Sequence, residues 1–87
     1  MPKIEREIKI ENEQGLHARP AALFVQIAAK YDANLKVTKG QETVNGKSIM
    51  GILMLGAQQY SVVTLTADGD DAEALIAELE GFLQRHE

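Results

Sequence analysis

The sequence predicts an α+β fold, an open-faced β-sandwich in which three helices cover one face of a four-stranded, mainly antiparallel sheet. Two observations predict this class. Some segments alternate apolar with polar residues, as strands buried on one face do, whereas others repeat their apolar residues with the helical period. The resulting order along the chain is β-α-β-β-α-β-α, so we expect the helices to pack on the apolar face of the sheet.

The first strand is predicted over residues 4–11, where Ile4, Ile8 and Ile10 share one face and acidic residues dominate the other. Turn-forming residues at 12–15 end this pattern. Pro20 is tolerated only in the first turn of a helix, because its missing N–H has no intrahelical partner there. The first helix is therefore expected to begin within a residue or two of His17. Its predicted apolar face contains Ala21, Phe24, Val25, Ala28, Ala29 and Tyr31.

A hairpin and a further strand are predicted next. Leu35 and Val37 alternate with polar residues, residues 39–41 form a turn, and Thr43 and Val44 lie on the returning strand. Another strand is predicted over residues 60–67. One of its faces carries Val63, Leu65 and Ala67, and the other carries Val62, Thr64 and Thr66.

The last segment has the clearest helical period. Its apolar residues follow the i, i+3, i+4, i+7 rule at Ala72, Leu75, Ile76, Leu79, Phe82 and Leu83. Asp70 and Glu73 have the spacing of a capping box, which predicts that this helix begins beside Asp70.

Residues 48–55 are ambiguous, because an apolar run of this length suits a buried strand as well as a short helix. Ser48 before the run and Gly56 after it resemble an N-cap and a C-terminal glycine. These two residues favour the helix, which would leave Ile52 and Leu55 facing the core.

Length and composition exclude several classes of protein. The chain has 87 residues, enough for one domain over residues 1–87, and it contains no cysteine. Nine basic against thirteen acidic residues give a formal charge of −4, the wrong sign for a nucleic-acid-binding domain. His17 and His86 are the only histidines, and their separation along the chain makes a metal site improbable. His86 is interpreted as a solvated residue of the tail.

The chain shows no membrane or secretion signal. Its longest mainly apolar stretch, residues 49–57, is about half of the roughly 20 residues that span a bilayer. The N-terminus lacks the apolar region of a signal peptide. We therefore expect a cytoplasmic protein that does not insert into membranes, and we expect a monomer.

Residues 15–22 read Gly-Leu-His-Ala-Arg-Pro-Ala-Ala and place His17 at the start of a helix, with Arg19 two residues later. Unpaired N–H groups and the macrodipole favour an anion there, and a guanidinium adds charge-assisted hydrogen bonds. A phosphoryl group suits this site, because a neutral imidazole nitrogen is a competent nucleophile towards phosphorus. From spacing alone, the alternative that His17 is an ordinary exposed residue and Arg19 a solvated charge stays equally open.

This motif resembles the active-site signature of the HPr family, the histidine-containing phosphocarriers of the bacterial phosphoenolpyruvate-dependent sugar phosphotransferase system. Residues 45–51, Asn-Gly-Lys-Ser-Ile-Met-Gly, resemble the regulatory-serine segment of the same family. The resemblance extends over the whole chain. It implies that His17 is phosphorylated on Nδ1 by enzyme I and passes the phosphoryl group to enzyme IIA of a sugar permease. Arg19 would steady that group, and the backbone N–H groups of Ala18 and Arg19 would bind it.

The resemblance also implies a carrier that is not itself an enzyme and that uses no cofactor or metal. It further implies that Ser48 is phosphorylated by HPr kinase/phosphorylase. A phosphate there would add about −1.5 to −2 charges and would repel the acidic, phosphorylated face of enzyme I. The alternative is that Ser48 is a plain N-cap without a regulatory role.

The family's docking surface corresponds to Leu16, Leu23, Ile49, Met50 and Leu53 in this sequence. An apolar stripe is more often core, but a domain of this size needs only one buried face per helix, and these residues lie off it. Gln14, Gly46 and Leu53 depart from residues common in the family, which leaves the preferred partners open.

Other functions remain alternatives to sugar uptake. The chain could be an HPr-like protein of a nitrogen-linked branch or of phosphoserine-dependent signalling. It could also be a module that only binds partners while His17 is never phosphorylated, or a sensor domain for a small molecule.

Overall fold

The computed structural model of the chain describes residues 2–85. Its elements follow the predicted order: β1 (Lys3–Lys9), α1 (Ala18–Ala29), β2 (Asn34–Lys39), β3 (Glu42–Asn45), α2 (Ile49–Leu55), β4 (Val62–Asp68) and α3 (Ala72–Leu83). The α+β class and the helix predicted within residues 48–55 are confirmed. None of the helices in the described part of the chain has the length and apolarity needed to cross a membrane.

The four strands form one sheet in the order β1-β4-β2-β3, and every neighbouring pair is antiparallel. The register places Ile8 opposite Val63, and Val37 opposite Leu65. All four side chains are buried, so they share the face that the helices cover. The other face carries mostly polar residues and is open, as the alternating pattern predicted.

The three helices complete one hydrophobic core with the sheet. The largest contributions from α1, α2 and α3 include Phe24, Ile52 and Leu79, each fully buried. The predicted burial of Ile52 and Leu55 is confirmed. On the predicted apolar face of α1, Ala21, Phe24 and Ala28 are buried, and Val25 and Tyr31 are partly buried against the core. The prediction was wrong only at Ala29, which is exposed.

The strand predicted over residues 60–67 begins later than expected. Tyr60 has a left-handed backbone (φ 74°), and its side chain is exposed. Its N–H donates to Ile10 O at 2.7 Å, and Ser61 N donates to Gln58 O at 3.0 Å. Residues 58–61 therefore form a turn before β4, which an alternating apolar pattern does not reveal.

The predicted capping box at Asp70 and Glu73 was wrong. The N-cap of α3 is Asp71, and its side chain makes no capping hydrogen bond. The Asp71 carboxylate instead accepts from the N–H groups of Asp32 (2.8 Å) and Ala33 (2.9 Å). These bonds, chiefly the one from Asp32, lower the pKa of Asp71. Asp71 thus connects α3 to the segment that precedes β2.

Glu78 connects α3 to the end of α1. Its carboxylate accepts from Lys30 Nζ at 2.7 Å and from the Tyr31 hydroxyl. These two hydrogen bonds, first that of Lys30 and then that of Tyr31, lower the pKa of Glu78, and the same contacts raise the pKa of Lys30 and of Tyr31. A second ion pair joins Arg6 of β1 to Glu80 of α3 at 3.0 Å.

Candidate functional site

The loop between β1 and α1 positions His17, and it is fixed by two other parts of the fold. Backbone N–H groups of Glu11 and Asn12 donate to Leu83 O, at the C-terminal end of α3, at 2.9 and 3.2 Å. Gln59 Nε2 donates to Glu11 O at 3.1 Å. The carbonyl groups at the end of a helix have no intrahelical partner, so the loop satisfies one that α3 leaves open.

Within this loop, Asn12 forms a tight turn. Its side-chain oxygen accepts from Gln14 N at 2.8 Å, and its carbonyl accepts from Gly15 N at 3.1 Å. This arrangement is typical of Asx turns. The turn-forming residues predicted at 12–15 are confirmed, but sequence reasoning did not single out the role of the Asn12 side chain.

Gly15 and Leu16 attach the loop to the segment after α2. Leu16 N donates to Ala57 O at 2.8 Å. Gly15 has a left-handed backbone (φ 60°), and a Cβ on it would lie only 2.6 Å from Ala57 O and 2.8 Å from Gln58 Cα. Glycine is therefore required at position 15, both for its conformation and for the close approach of the two backbones.

His17 is the N-cap of α1, which confirms the predicted start of this helix. Its carbonyl accepts from Ala21 N at 2.8 Å, while its exposed side chain makes no capping hydrogen bond. Within residues 2–85, the N–H groups of Ala18 and Arg19 donate to no other backbone group. Pro20 has no N–H, so Ala18 and Arg19 supply the open donors of the first turn. The site thus combines an exposed imidazole with two open N–H donors at the start of a helix, an arrangement that favours an anion.

Arg19 is exposed, and it forms no salt bridge within the described part of the chain. It borders a cavity of about 250 Å³ between α1 and the end of α3, whose lining also includes Asn12, Gln14, Leu23, Phe82 and Arg85. His17 does not line this cavity. The Arg19 guanidinium lies two residues after His17 in the sequence and, within residues 2–85, is paired with no carboxylate. It can therefore form charge-assisted hydrogen bonds to an anion.

Ser48 is the N-cap of α2, as predicted, and its hydroxyl accepts from Gly51 N at 3.0 Å. Gly56 ends the helix in a left-handed conformation, φ 61°. The turn before Ser48 is fixed by Asn45, whose side chain accepts from Lys47 N at 2.9 Å. Gly46 has no room for a side chain, because a Cβ on it would collide with the side chain of Leu35.

Most of the predicted docking residues are exposed, but one of them is buried. Ile49, Met50 and Leu53 are exposed on α2, and Met50 retains 64% of its exposure. Leu16 is only 1% exposed and belongs to the core. Its prediction as a docking residue is corrected, because its side chain packs in the hydrophobic core and offers almost no surface to a partner.

Leu23 is exposed as predicted, but it lines the cavity between α1 and α3 beside Phe82 and Arg85. Sequence reasoning missed Met54, which is 71% exposed next to Leu53. The helical spacing could have found it, because residues 50, 53 and 54 lie on one side of a helix that buries 52 and 55.

His86 lies outside the described residues. Among residues 2–85, no group of three or more histidine, cysteine or acidic side chains is arranged to bind a metal ion.

Comparisons with known proteins agree with this geometry. Residues 4–85 match the family model described as PTS HPr component phosphorylation site. The chain is 45% identical over 75 residues to phosphocarrier protein HPr of Neisseria meningitidis, covering 85% of this chain and 84% of the relative.

Two solved structures are similar over nearly the whole chain. HPr from Bacillus anthracis superposes with a TM-score of 0.93 at 39% identity, covering 97% of this chain and 100% of that structure. Crh from Bacillus subtilis, an HPr-like protein whose crystal structure is a dimer with a swapped domain, gives 0.75 at 38% identity, covering 97% and 92%. From the family match and these similarities, the chain belongs to the HPr family of phosphocarrier proteins.

Proposed function

We propose that the chain carries phosphoryl groups in the phosphotransferase system, with His17 as the residue that is phosphorylated. His17 accepts the group on Nδ1 from the phosphohistidine form of enzyme I and donates it to enzyme IIA of a sugar permease. The observation that supports this most is the position of His17: an exposed N-cap beside the open N–H groups of Ala18 and Arg19.

The transfer requires positioning and charge neutralisation more than covalent assistance. The lone pair of Nδ1 attacks phosphorus, and the P–N bond to the histidine of enzyme I breaks, with its electron pair returning to that imidazole. The N–H groups of Ala18 and Arg19 and the guanidinium of Arg19 stabilise the negative oxygens during this step. The product is a phosphoramidate. In the next transfer a nucleophile of enzyme IIA attacks phosphorus, and the P–N bond to His17 breaks with its electron pair returning to the imidazole. The chain acts as one domain and as a carrier, and the partners supply the remainder of each active site.

Phosphorylation by enzyme I tests the role of His17. Incubation with phosphoenolpyruvate and enzyme I should give one acid-labile, base-stable phosphoryl group. His17→Ala should abolish the labelling, whereas His86→Ala, which removes the other histidine, should leave it unchanged. Labelling of His17→Ala at the level of the unsubstituted protein would contradict the assignment.

We propose a separate regulatory role for Ser48. Its hydroxyl caps α2, so a phosphate added there meets N–H donors and leaves the fold nearly unchanged. The added negative charge would then repel the acidic face of enzyme I. HPr kinase/phosphorylase and ATP should give an acid-stable phosphate that is absent in Ser48→Ala. Ser48→Asp should accept phosphoryl groups from enzyme I more slowly, and an unchanged rate would argue against the repulsion.

The similarity to Crh supports a second candidate, a regulatory protein of the HPr family that does not serve sugar uptake. Such a protein would use Ser48 and the exposed residues of α2 to bind partners. Delivery of the phosphoryl group from His17 to enzyme IIA distinguishes the two functions, because only the carrier requires it.

We further propose that the protein is cytoplasmic, where phosphoenolpyruvate and ATP are available, and that it is a monomer. The monomeric state needs a test, because the related protein Crh forms a dimer with a swapped domain in its crystal structure. Sedimentation equilibrium should give the mass of one chain, about 9.5 kDa, and a mass twice as large would contradict the monomer.

A further inference from the structure

The open face of the sheet carries a groove at the end where β1 begins and β4 ends. Its volume is about 550 Å³, which lies within the range of small-molecule sites. Its ionisable lining residues are three lysines and one aspartate: Lys3, Lys36, Lys47 and Asp68. The groove therefore carries more basic than acidic groups, although the chain as a whole has a formal charge of −4.

The strand register places these groups in two neighbouring rows. In the first row, Lys3 of β1 and Asn34 of β2 both lie opposite Asp68 of β4. In the second row, Lys36 lies between Thr66 of β4 and Asn45 of β3. Glu5 of β1 lies on the other side of Thr66, outside the groove lining, and its carboxylate accepts from the Thr66 hydroxyl at 3.4 Å. Asn34 and Lys36 are two residues apart on one strand and therefore lie on the same face. The sheet thus brings two ammonium groups and two side-chain amides to one patch.

The third ammonium group is fixed. Lys47 Nζ donates to Tyr31 O at 2.6 Å, and the Lys47 side chain is half-buried. Lys3 and Lys36 form no salt bridge within residues 2–85. Their charges are therefore not neutralised by a described carboxylate at hydrogen-bonding distance.

Asp68 leaves a hydrogen-bond acceptor without a donor. Its Oδ1 is buried and accepts no hydrogen bond within the described residues. Buried acceptors are normally paired, so this oxygen favours a guest that carries hydroxyl donors. Lys3 lies opposite Asp68 in the strand register, and both residues line the groove.

We propose that this groove binds a small hydroxylated phosphate monoester. The phosphate dianion suits the lysines, since charge-assisted hydrogen bonds are the strong ones. The hydroxyl groups of the ligand suit Asp68 Oδ1 and the amide of Asn34, whereas the side-chain oxygen of Asn45 already accepts from Lys47 N. Neither His17 nor Arg19 nor Ser48 lines the groove, so this site is independent of the proposed phosphoryl transfer.

Titration with glycerol 3-phosphate, followed by the amide resonances of the protein, tests the proposal. The resonances of residues lining the groove should shift and saturate, whereas glycerol at the same ionic strength should shift none of them. Lys36→Gln should weaken the binding by about 3- to 10-fold, because it removes one charge-assisted contact. Lys39→Gln is the matched control, since Lys39 lies on the same strand and outside the groove.

Thermal unfolding of both variants checks that neither substitution damages the fold. Absence of saturable shifts in the groove, shifts confined to the start of α1, or equal weakening by Lys36→Gln and Lys39→Gln would each overturn the site. Binding of inorganic phosphate as tight as that of glycerol 3-phosphate would overturn the hydroxylated class of ligand.

Discussion

Gly15 is the residue on which the placement of His17 depends most directly. Two residues before the histidine, the backbone turns left-handed and passes within contact distance of Ala57 and Gln58. Gly15 therefore links the candidate phosphoryl site to the segment that follows α2. A side chain here would move the loop that leads into α1.

Gly15→Ala should lower the free energy of unfolding by about 2–4 kcal/mol, because it adds left-handed strain and a collision with backbone. Urea denaturation measures the loss. Gly40→Ala is the matched control: Gly40 has nearly the same φ, 61°, but no atom within 4 Å of its Cβ position. Gly40→Ala should lower the free energy of unfolding by only about 1 kcal/mol. Equal losses in the two variants would show that the close approach to Ala57 is unimportant.

Ser48 has a structural role that must be separated from any regulatory one. Ser48→Ala removes the N-cap bond to Gly51 and should lower the free energy of unfolding by about 0.5–2 kcal/mol. Ser48→Asp should keep most of that stability, because aspartate is also a good N-cap. A loss in Ser48→Asp as large as in Ser48→Ala, measured by urea denaturation, would contradict this account of the cap.

Individual residues also show where sequence reasoning succeeds. Ser48, Gly56 and the proline at position 20 mark helix ends through local chemistry, so their roles were predictable. Leu16 was not, because its side chain is buried in a core whose other residues, such as Ala57, lie far away along the sequence. Tyr60 adopts a turn for a similar reason, since its N–H pairs with Ile10 at the end of the first strand.

At the scale of elements, α1 and α3 are joined by ionised groups whose pKa values respond to the contact. Lys30 and Tyr31 donate to Glu78, and this lowers the pKa of that carboxyl. A lowered folded pKa contributes stability above the unfolded pKa, and the contribution is lost as pH falls through the folded value. Asp71 acts in the same direction at the start of α3.

The free energy of unfolding should therefore decrease as pH falls from about 5 towards 2. Glu78→Gln should be less stable than the unsubstituted protein at pH 6, and the difference should shrink towards pH 2. Glu13→Gln, in an exposed loop, is the control and should show no such convergence. Urea denaturation at several pH values measures these free energies of unfolding. If the difference between Glu78→Gln and the unsubstituted protein is the same at every pH, the role of Glu78 is contradicted.

The elements themselves were largely predictable, because alternation and the helical period are local properties of the sequence. The exceptions were the start of β4, which follows a turn at residues 58–61, and the capping of α3. A capping box was expected at Asp70, but the N-cap is Asp71, whose carboxylate accepts from the N–H groups of Asp32 and Ala33 and makes no capping bond. Those partners belong to another part of the chain, and no local pattern identifies them.

At the scale of the whole molecule, the open-faced architecture separates two exposed surfaces. The helical side presents His17 and the exposed residues of α2, whereas the open face of the sheet presents polar side chains and the lysine groove. The net charge of −4 is a poor guide to either surface, because the relevant charges are local.

Met50 should contribute to docking with enzyme I. Met50→Glu should raise the KM for the chain as a substrate of enzyme I by about tenfold, as expected when a central apolar contact is lost. Val62→Glu is the control, because Val62 is also an exposed apolar residue but lies on β4 and not on α2. Equal effects of the two substitutions in phosphorylation kinetics would argue against a docking role for α2.

His17 is expected both to accept a phosphoryl group and to deliver it to the next protein. A single-turnover chase tests this most directly: the chain is phosphorylated with phosphoenolpyruvate and enzyme I, enzyme I is removed, and enzyme IIA is added. The phosphoryl group should leave His17 and appear on enzyme IIA in equal amount, without release of inorganic phosphate. Phosphate that stays on the chain, or that is released to solvent without reaching enzyme IIA, would contradict the carrier function.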